Sequence, residues 1–202
     1  MEIVKHIIDF VLHLDKHLLD LVQDYGVWTY AILFLIIFVE TGVVVLPFLP
    51  GDSLLFAAGS LAALPNSPLN VGVLILLLIV AAVLGDALNY HIGDFIGPRV
   101  FRRDYRFLKR AHLLRTQEFY EKHGAKTIII ARFIPIIRTF APFIAGVGTM
   151  SYSRFLAYNL VGAVLWVTLL TGAGYFLGQL EWIQKHFGLF TLMFIGVSVL
   201  PV

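Results

Sequence analysis

The 202-residue chain contains no cysteine, which excludes disulfides, thiolate nucleophiles and thiolate metal ligands and leaves the redox compartment unread. Charge is scarce as well. Only 14% of residues are Asp, Glu, Lys or Arg, whereas a soluble domain carries about a quarter. Residues 53–85 hold no charged side chain, and neither do residues 155–180. Each run exceeds the ~20 helical residues needed to cross a ~30 Å hydrocarbon core. A signal-peptide pattern is also missing. Residues 1–25 carry five acids against two bases, where a signal peptide has a basic start, an apolar run and a small-residue cleavage site. What remains is apolar surface, with 59% hydrophobic residues and a mean hydropathy of +0.86. The chain reads as a single all-α, polytopic membrane domain over residues 1–202.

Five segments organise that domain. In residues 1–24, Ile3, Ile7, Val11, Leu14 and Leu18 recur at helical spacing with acids between them, which predicts an amphipathic helix at a membrane interface. Residues 25–97 form a first repeat. Residues 98–126 are strongly basic, with nine bases against three acids from Arg99 to Lys126. The positive-inside rule places residues 99–126 in the cytoplasm, against membrane phospholipids. Nucleic acid is an unsuitable partner because no fold for groove or base readout accompanies these residues. Residues 127–180 form a second repeat. Residues 187–202 are an uncharged apolar run that reads as a C-terminal transmembrane segment. No basic stop follows Val202, so further chain is expected beyond it.

Proline breaks two of the apolar stretches. The first reads Pro47-Phe48-Leu49-Pro50-Gly51-Asp52-Ser53. Each proline removes a backbone donor and clashes with the preceding helical turn, and Pro-Gly is a turn signal. Non-helical backbone at membrane depth is tolerated only inside protein or beside a watery cavity. A re-entrant hairpin turning near Pro50-Gly51 satisfies both conditions. The second stretch, residues 127–148, has Pro135 and Pro142 on either side of Arg138 and predicts the same device. The two stretches also match in order. Phe48-Leu49-Pro50 answers Phe133-Ile134-Pro135, and Ala58-Gly59 answers Ala145-Gly146. Tyr90-His91-Ile92-Gly93 then answers Tyr175-Phe176-Leu177-Gly178. A hairpin returns to the face it left and the following helix crosses once, so tandem halves must be inverted. Inverted repeats with broken helices at their interface are a transporter architecture.

Four charges interrupt these stretches: Glu40 and Asp52 in the first, Arg132 and Arg138 in the second. A charge at the bilayer centre costs about 2.5–3.5 kcal/mol on insertion scales. The four must therefore face one another, face water, or bind an ion or a charged substrate. A guanidinium holds phosphate through a bidentate fork, so Arg138 is the candidate contact to a lipid phosphate headgroup, with Arg132 assisting. The competing reading is that the arginines only neutralise Glu40 and Asp52. Burial and a nearby arginine act in opposite directions on a carboxylate's hold on its proton, which makes Glu40 and Asp52 candidates for proton coupling. Fixed salt bridges are the other reading. Pro50 and Gly51 make the turn and expose backbone donors, and Ser53 and Thr139 complete the substrate-binding set. Asp86, Asn89 and Tyr90 share one helix face by their spacing and read as a helix-end interface or as the lining of a cavity. Trp166 and Trp182 read as packing or interface anchors. His13 and His17 lie four residues apart, but no third ligand converges on them, and His91, His112, His123 and His186 read as loop or interface residues.

The runs Phe38-Val39-Glu40-Thr41-Gly42, Pro47 to Leu55, Ala131-Arg132-Phe133-Ile134-Pro135, Arg138-Thr139 and Pro142-Phe143-Ile144-Ala145-Gly146 together resemble the DedA family, also called the SNARE-associated or VTT-domain family. The likeness spans about residues 20–200. It implies two re-entrant hairpins, a bacterial inner-membrane location, and transport of a lipid carrier, chiefly undecaprenyl phosphate, linked to the proton motive force. The family's functional acids and arginines fall on Glu40, Asp52, Arg132 and Arg138. The expected function is thus a flippase for a polyprenyl-phosphate lipid, serving cell-envelope synthesis with protons as partner and no cofactor or metal. Proton or small-ion transport competes with it. So does an intramembrane phosphatase, whose nucleophile would come from Ser53, Thr139, Glu40 or Asp52, although spacing supplies no adjacent base. An assembly role leaves the four charges unexplained.

Overall fold

The computed structural model describes residues 24–43, 51–65, 67–100, 120, 122–148 and 150–180, with backbone alone at residues 97–100, 135 and 136. The amphipathic segment, the Pro47–Pro50 turn, most of the basic segment, Trp182 and the C-terminal run lie outside these residues. Among the described residues every regular element is helical: α1 (Trp28–Gly42), α2 (Gly51–Ala62), α3 (Val71–Val100), a 3-10 turn (Gly124–Lys126), α4 (Thr127–Ala131), α5 (Pro135–Val147) and α6 (Tyr152–Leu177). Val71–Ile96 within α3, and the whole of α6, are each 26 residues long and apolar enough to cross a membrane.

Local chemistry explains several boundaries. Before α3, the Asn70 side-chain carbonyl accepts from the backbone N–H of Gly72 at 2.9 Å and of Val73 at 3.2 Å. This is an N-cap, which satisfies donors that a helix start otherwise leaves open. The Asn70 N–H itself donates to the Tyr30 hydroxyl at 2.6 Å. Between α4 and α5 the helix breaks at Arg132–Ile134. Ile134 is extended (φ −120°, ψ 104°), as the residue before proline prefers, and Pro135 opens α5 where its missing N–H costs least. Pro142 behaves differently. It lies inside α5 rather than ending it, so the turn after Arg138 lacks one backbone donor while the helix continues.

The chain divides into two compact units. The first holds residues 24–34, 50–78 and 167–180 as far as they are described. Here α2 packs on the C-terminal part of α6 through glycines. A Cβ at Gly59 would collide with the Thr171 carbonyl and meet the Tyr175 backbone nitrogen, and one at Gly174 would collide with the Phe56 carbonyl. The Ser60 hydroxyl stands 3.1 Å from both the Phe56 and Gly174 carbonyl oxygens and donates within that contact. Leu54, Leu55, Phe56, Ala57, Ala58 and Leu61 of α2 are buried around it.

The second unit holds residues 35–49 and 79–166 as far as they are described. Its α5 packs on α3 by the same rule. A Cβ at Gly146 would collide with the Tyr90 carbonyl, and one at Gly93 with the Phe143 carbonyl. Phe140, Phe143 and Ile144 form one buried cluster, and Tyr90, Ile128, Ala131, Ala141, Ala145 and Phe155 another. Gly85 admits α1, since a Cβ there would strike the Thr41 hydroxyl and the Phe38 carbonyl.

Each unit thus contains one Phe-x-x-Gly helix seated on a glycine of a long helix: Phe56 and Gly59 on Gly174, Phe143 and Gly146 on Gly93. In each case the short helix belongs to one sequence repeat and the long helix to the other. The pairing matches Gly93 with Gly174, one helical turn before the Gly178 that the Tyr-x-x-Gly comparison selects. Residues four apart share a helix face, so a one-turn slip leaves the sequence match intact and only the contact reveals it.

Candidate functional site: two buried arginine pairs

The Glu40–Arg138 and Asp86–Arg132 ion pairs both lie in the second unit. Arg138, on the first turns of α5, donates from Nη2 to Glu40 Oε1 at 2.9 Å. Glu40 sits near the end of α1 and is 6% exposed, while Arg138 is 9% exposed. Arg132 stands in the break between α4 and α5 and is 2% exposed. Its Nη2 donates to both Asp86 Oδ2 of α3 and Asn159 Oδ1 of α6. Asn159 in turn donates to the Val83 carbonyl at 3.2 Å, which fixes its amide. Arg132 Nε and Nη1 are buried without a hydrogen-bond partner among the described residues.

Both guanidinium groups lie over one ring. The centroid of the buried Trp166 indole is 5.0 Å from Arg138 Cζ and 5.7 Å from Arg132 Cζ. Such stacking adds about 0.5–2 kcal/mol per cation, with the upper part of the range where water is excluded. Gly162, one turn before Trp166 on α6, leaves room for Arg132, since a Cβ there would stand 3.0 Å from Arg132 Cδ and 3.1 Å from Nε. Asn159, Gly162 and Trp166 thus present one face of α6 to the arginines. With two carboxylates against two guanidiniums the cluster is neutral when all four are ionised. That balance is the condition for burying charges without prohibitive desolvation.

Asn89 ties the helices that carry Glu40 and Arg138. It is fully buried and donates from Nδ2 to the Thr41 carbonyl at 3.3 Å and to the Thr139 carbonyl at 3.0 Å. Tyr120 closes the far side of α5, donating its hydroxyl to the Ala141 carbonyl at 2.9 Å. Burial pushes that phenol's pKa up, and the nearby Asp86 charge adds to the shift, so the hydroxyl stays a donor through the physiological range.

The structure treats the expected site residues differently. It brings Glu40 and Arg138 into contact, with Thr139 buried beside them. It gives Arg132 a partner the sequence did not offer, Asp86 rather than Glu40 or Asp52. Asp86 and Asn89 are core residues instead of a helix-end surface. Tyr90 is a packing residue: its ring stacks on Phe155 at 4.6 Å and its hydroxyl donates to the Met150 carbonyl at 2.6 Å. Asp52 lies in the first turn of α2, within the first unit, half-buried, with buried Gly51 and Ser53 on either side. A carboxylate there complements the positive end of its helix. Pro50 falls outside the described residues. Sequence reasoning missed Asn159 and Gly162 and read Trp166 as a packing residue or an interface anchor. One signal was available: Asn159 is an amide early in the charge-free run 155–180, whose other amide, Gln179, stands at its end.

The VTT domain pattern matches residues 49–176. Protein DedA of Escherichia coli K12 is 55% identical over 202 residues, covering all of this chain and 92% of the relative. A membrane protein of Mycobacterium tuberculosis H37Rv is 47% identical over 168 residues, 83% of this chain and 74% of that one. Inner membrane protein YqjA of Escherichia coli K12 is 38% identical over 158 residues, 78% of this chain and 71% of that one. No solved structure matches the chain. A chain matched over more than half its length by this pattern, and along its whole length by DedA, belongs to the VTT-domain or DedA family of membrane proteins.

Proposed function

We propose that this protein is a flippase that carries a polyprenyl-phosphate lipid, undecaprenyl phosphate, across the bacterial inner membrane at the expense of the proton gradient. The observation that carries the reading is the Glu40–Arg138 pair, a carboxylate and a guanidinium buried together over Trp166 in a membrane protein. Such a pair is costly to keep in a membrane, and it offers the chemistry that a phosphate headgroup requires. In this reading the two repeats are inverted, their hairpins enter from opposite faces, and residues 99–126 face the cytoplasm.

The cycle follows from charge balance. Protonation of Glu40 releases Arg138, whose planar fork then accepts the headgroup phosphate. The polyprenyl tail stays in lipid, because moving that much apolar surface through water would cost far more than moving one headgroup. Deprotonation restores the Glu40–Arg138 pair and expels the phosphate on the other face. Thr139, buried beside Arg138, supplies a hydroxyl contact. Asn89 keeps the helices that carry Glu40 and Arg138 in register.

Reconstitution in liposomes separates this cycle from its rivals when labelled lipid phosphate, inorganic phosphate and internal pH are followed together. The proposal expects lipid crossing that depends on the proton gradient, without phosphate release. Proton flux indifferent to added lipid would favour a proton or small-ion transporter. Steady phosphate release from a polyprenyl diphosphate would favour an intramembrane phosphatase.

A further inference from the structure

The two arginines are held in chemically different ways. A guanidinium presents two edges able to grip a phosphate with paired donors: Nε with Nη2, and Nη1 with Nη2. Both edges run through Nη2, the nitrogen that lies trans to Cδ. In Arg132 that nitrogen carries two hydrogens, and both are engaged, one with Asp86 Oδ2 and one with Asn159 Oδ1. Arg132 Nε and Nη1, although unpartnered among the described residues, point away from each other and form no fork. Arg132 is therefore unable to grip an anion bidentately while Asp86 and Asn159 keep their places. Its charge is also matched by the Asp86 carboxylate.

From this we infer that Asp86 and Asn159 are specificity-determining positioning residues that limit the site to a headgroup carrying one phosphate. The inference rests on the lipid-phosphate reading of the same cluster. With Arg132 committed to Asp86 and Asn159, the proposed cycle leaves Arg138 as the arginine that receives the ligand. A phosphate monoester suits that capacity. A diphosphate brings a second phosphoryl group and additional negative charge, for which the occupied Arg132 offers neither a fork nor spare charge. Asn159 holds the geometry and Asp86 the charge, so the two contributions are separable. Asp86→Asn removes the carboxylate charge and leaves Arg132 as uncompensated cation. Asn159→Ala frees one Nη2 hydrogen and leaves the charge balance intact, which makes it the variant more tolerant of folding.

The test is equilibrium competition on the full chain purified in detergent, with radiolabelled farnesyl phosphate displaced by unlabelled farnesyl phosphate, farnesyl diphosphate, inorganic phosphate or pyrophosphate. The readout is the ratio of diphosphate to monophosphate Kd. That ratio is independent of the folded fraction, so a purely structural role for Asp86 or Asn159 would leave it unmoved. The wild-type protein should prefer the monophosphate by about tenfold or more, a difference of about 1.4 kcal/mol. In Asp86→Asn and in Asn159→Ala the ratio should fall toward unity through tighter diphosphate binding. A ratio unchanged in both variants, or a wild-type protein that binds the two farnesyl ligands alike, overturns the inference and leaves the lipid-phosphate reading standing. A wild-type protein that binds no phosphate ligand overturns both. Inorganic phosphate binding as tightly as farnesyl phosphate overturns the lipid reading alone, provided the ratio over pyrophosphate still falls in the variants.

Discussion

At the scale of single residues, the centre of this protein is a pair of arginines sharing one tryptophan but held by different partners. Arg138 meets the Glu40 carboxylate, and Arg132 meets the Asp86 carboxylate and the Asn159 amide. Arg138→Lys preserves charge and loses the planar fork. Binding of farnesyl phosphate, measured by equilibrium competition, should weaken about tenfold, since a charge-assisted bond is worth roughly 1.5–3 kcal/mol. Unchanged affinity would reduce Arg138 to a simple counter-charge. The Arg132–Asp86 pair predicts a different pattern. Removing one partner strands a buried charge, at a cost of about 3–5 kcal/mol, whereas replacing both by apolar groups is often neutral. Arg132→Met and Asp86→Leu should each lower the unfolding midpoint in detergent, and the double variant should recover most of the loss. Additive losses would show that the two residues do not depend on each other. Glu40, Arg132 and Arg138 were legible in the sequence because a charge amid apolar residues is costly anywhere in a membrane. That an acid and an arginine would face each other was legible too, whereas the choice of Asp86 as the partner of Arg132 was not. Asp86 follows a 33-residue uncharged run and so looks like the polar end of a helix, although it is buried. Asn159 carries no charge, and the burial of an amide is fixed only when four separate segments pack together.

At the scale of elements, the fold is governed by where backbones touch. The breaks at Arg132–Ile134 and at Asn70 follow from proline and from N-capping, and the first was readable from Pro135. Pro142 lies inside α5, where it removes one bond without ending the helix. The two Phe-x-x-Gly contacts carry a clear prediction. Gly59→Ala and Gly146→Ala each force a methyl group onto a carbonyl of the facing helix, and overpacking of this kind costs about 1–3 kcal/mol. Gly172→Ala on α6 has nothing within 4 Å of the new methyl and should be neutral or stabilising by up to ~1 kcal/mol through helix propensity. Thermal unfolding of the three variants in detergent checks this. Similar midpoints for all three would mean that the close approaches do not hold α2 and α5 in place. The small residues of Ala58-Gly59 and Ala145-Gly146 were visible as a repeat in the sequence. Which glycine of the long helix receives them was not, because the choice lies between neighbours on the same helix face.

At the scale of the whole molecule, the Phe-x-x-Gly backbone contacts of one unit repeat in the other. Gly59 and Gly146 have equivalent surroundings, and the Glu40–Arg138 and Asp86–Arg132 pairs belong to the second unit. Acidification should favour the released form of Arg138, because protonating Glu40 removes its counter-charge, and headgroup capture should therefore rise as pH falls. The most direct test is headgroup translocation of a labelled polyprenyl phosphate in proteoliposomes, measured against pH for the wild-type protein and for Glu40→Gln. The account predicts a wild-type rate that depends on the pH of the face from which the lipid enters. It predicts that in Glu40→Gln this dependence is abolished, while the protein remains folded and inserted. A Glu40→Gln protein that keeps the wild-type pH profile would contradict the claim that the Glu40–Arg138 pair is the proton-operated phosphate site.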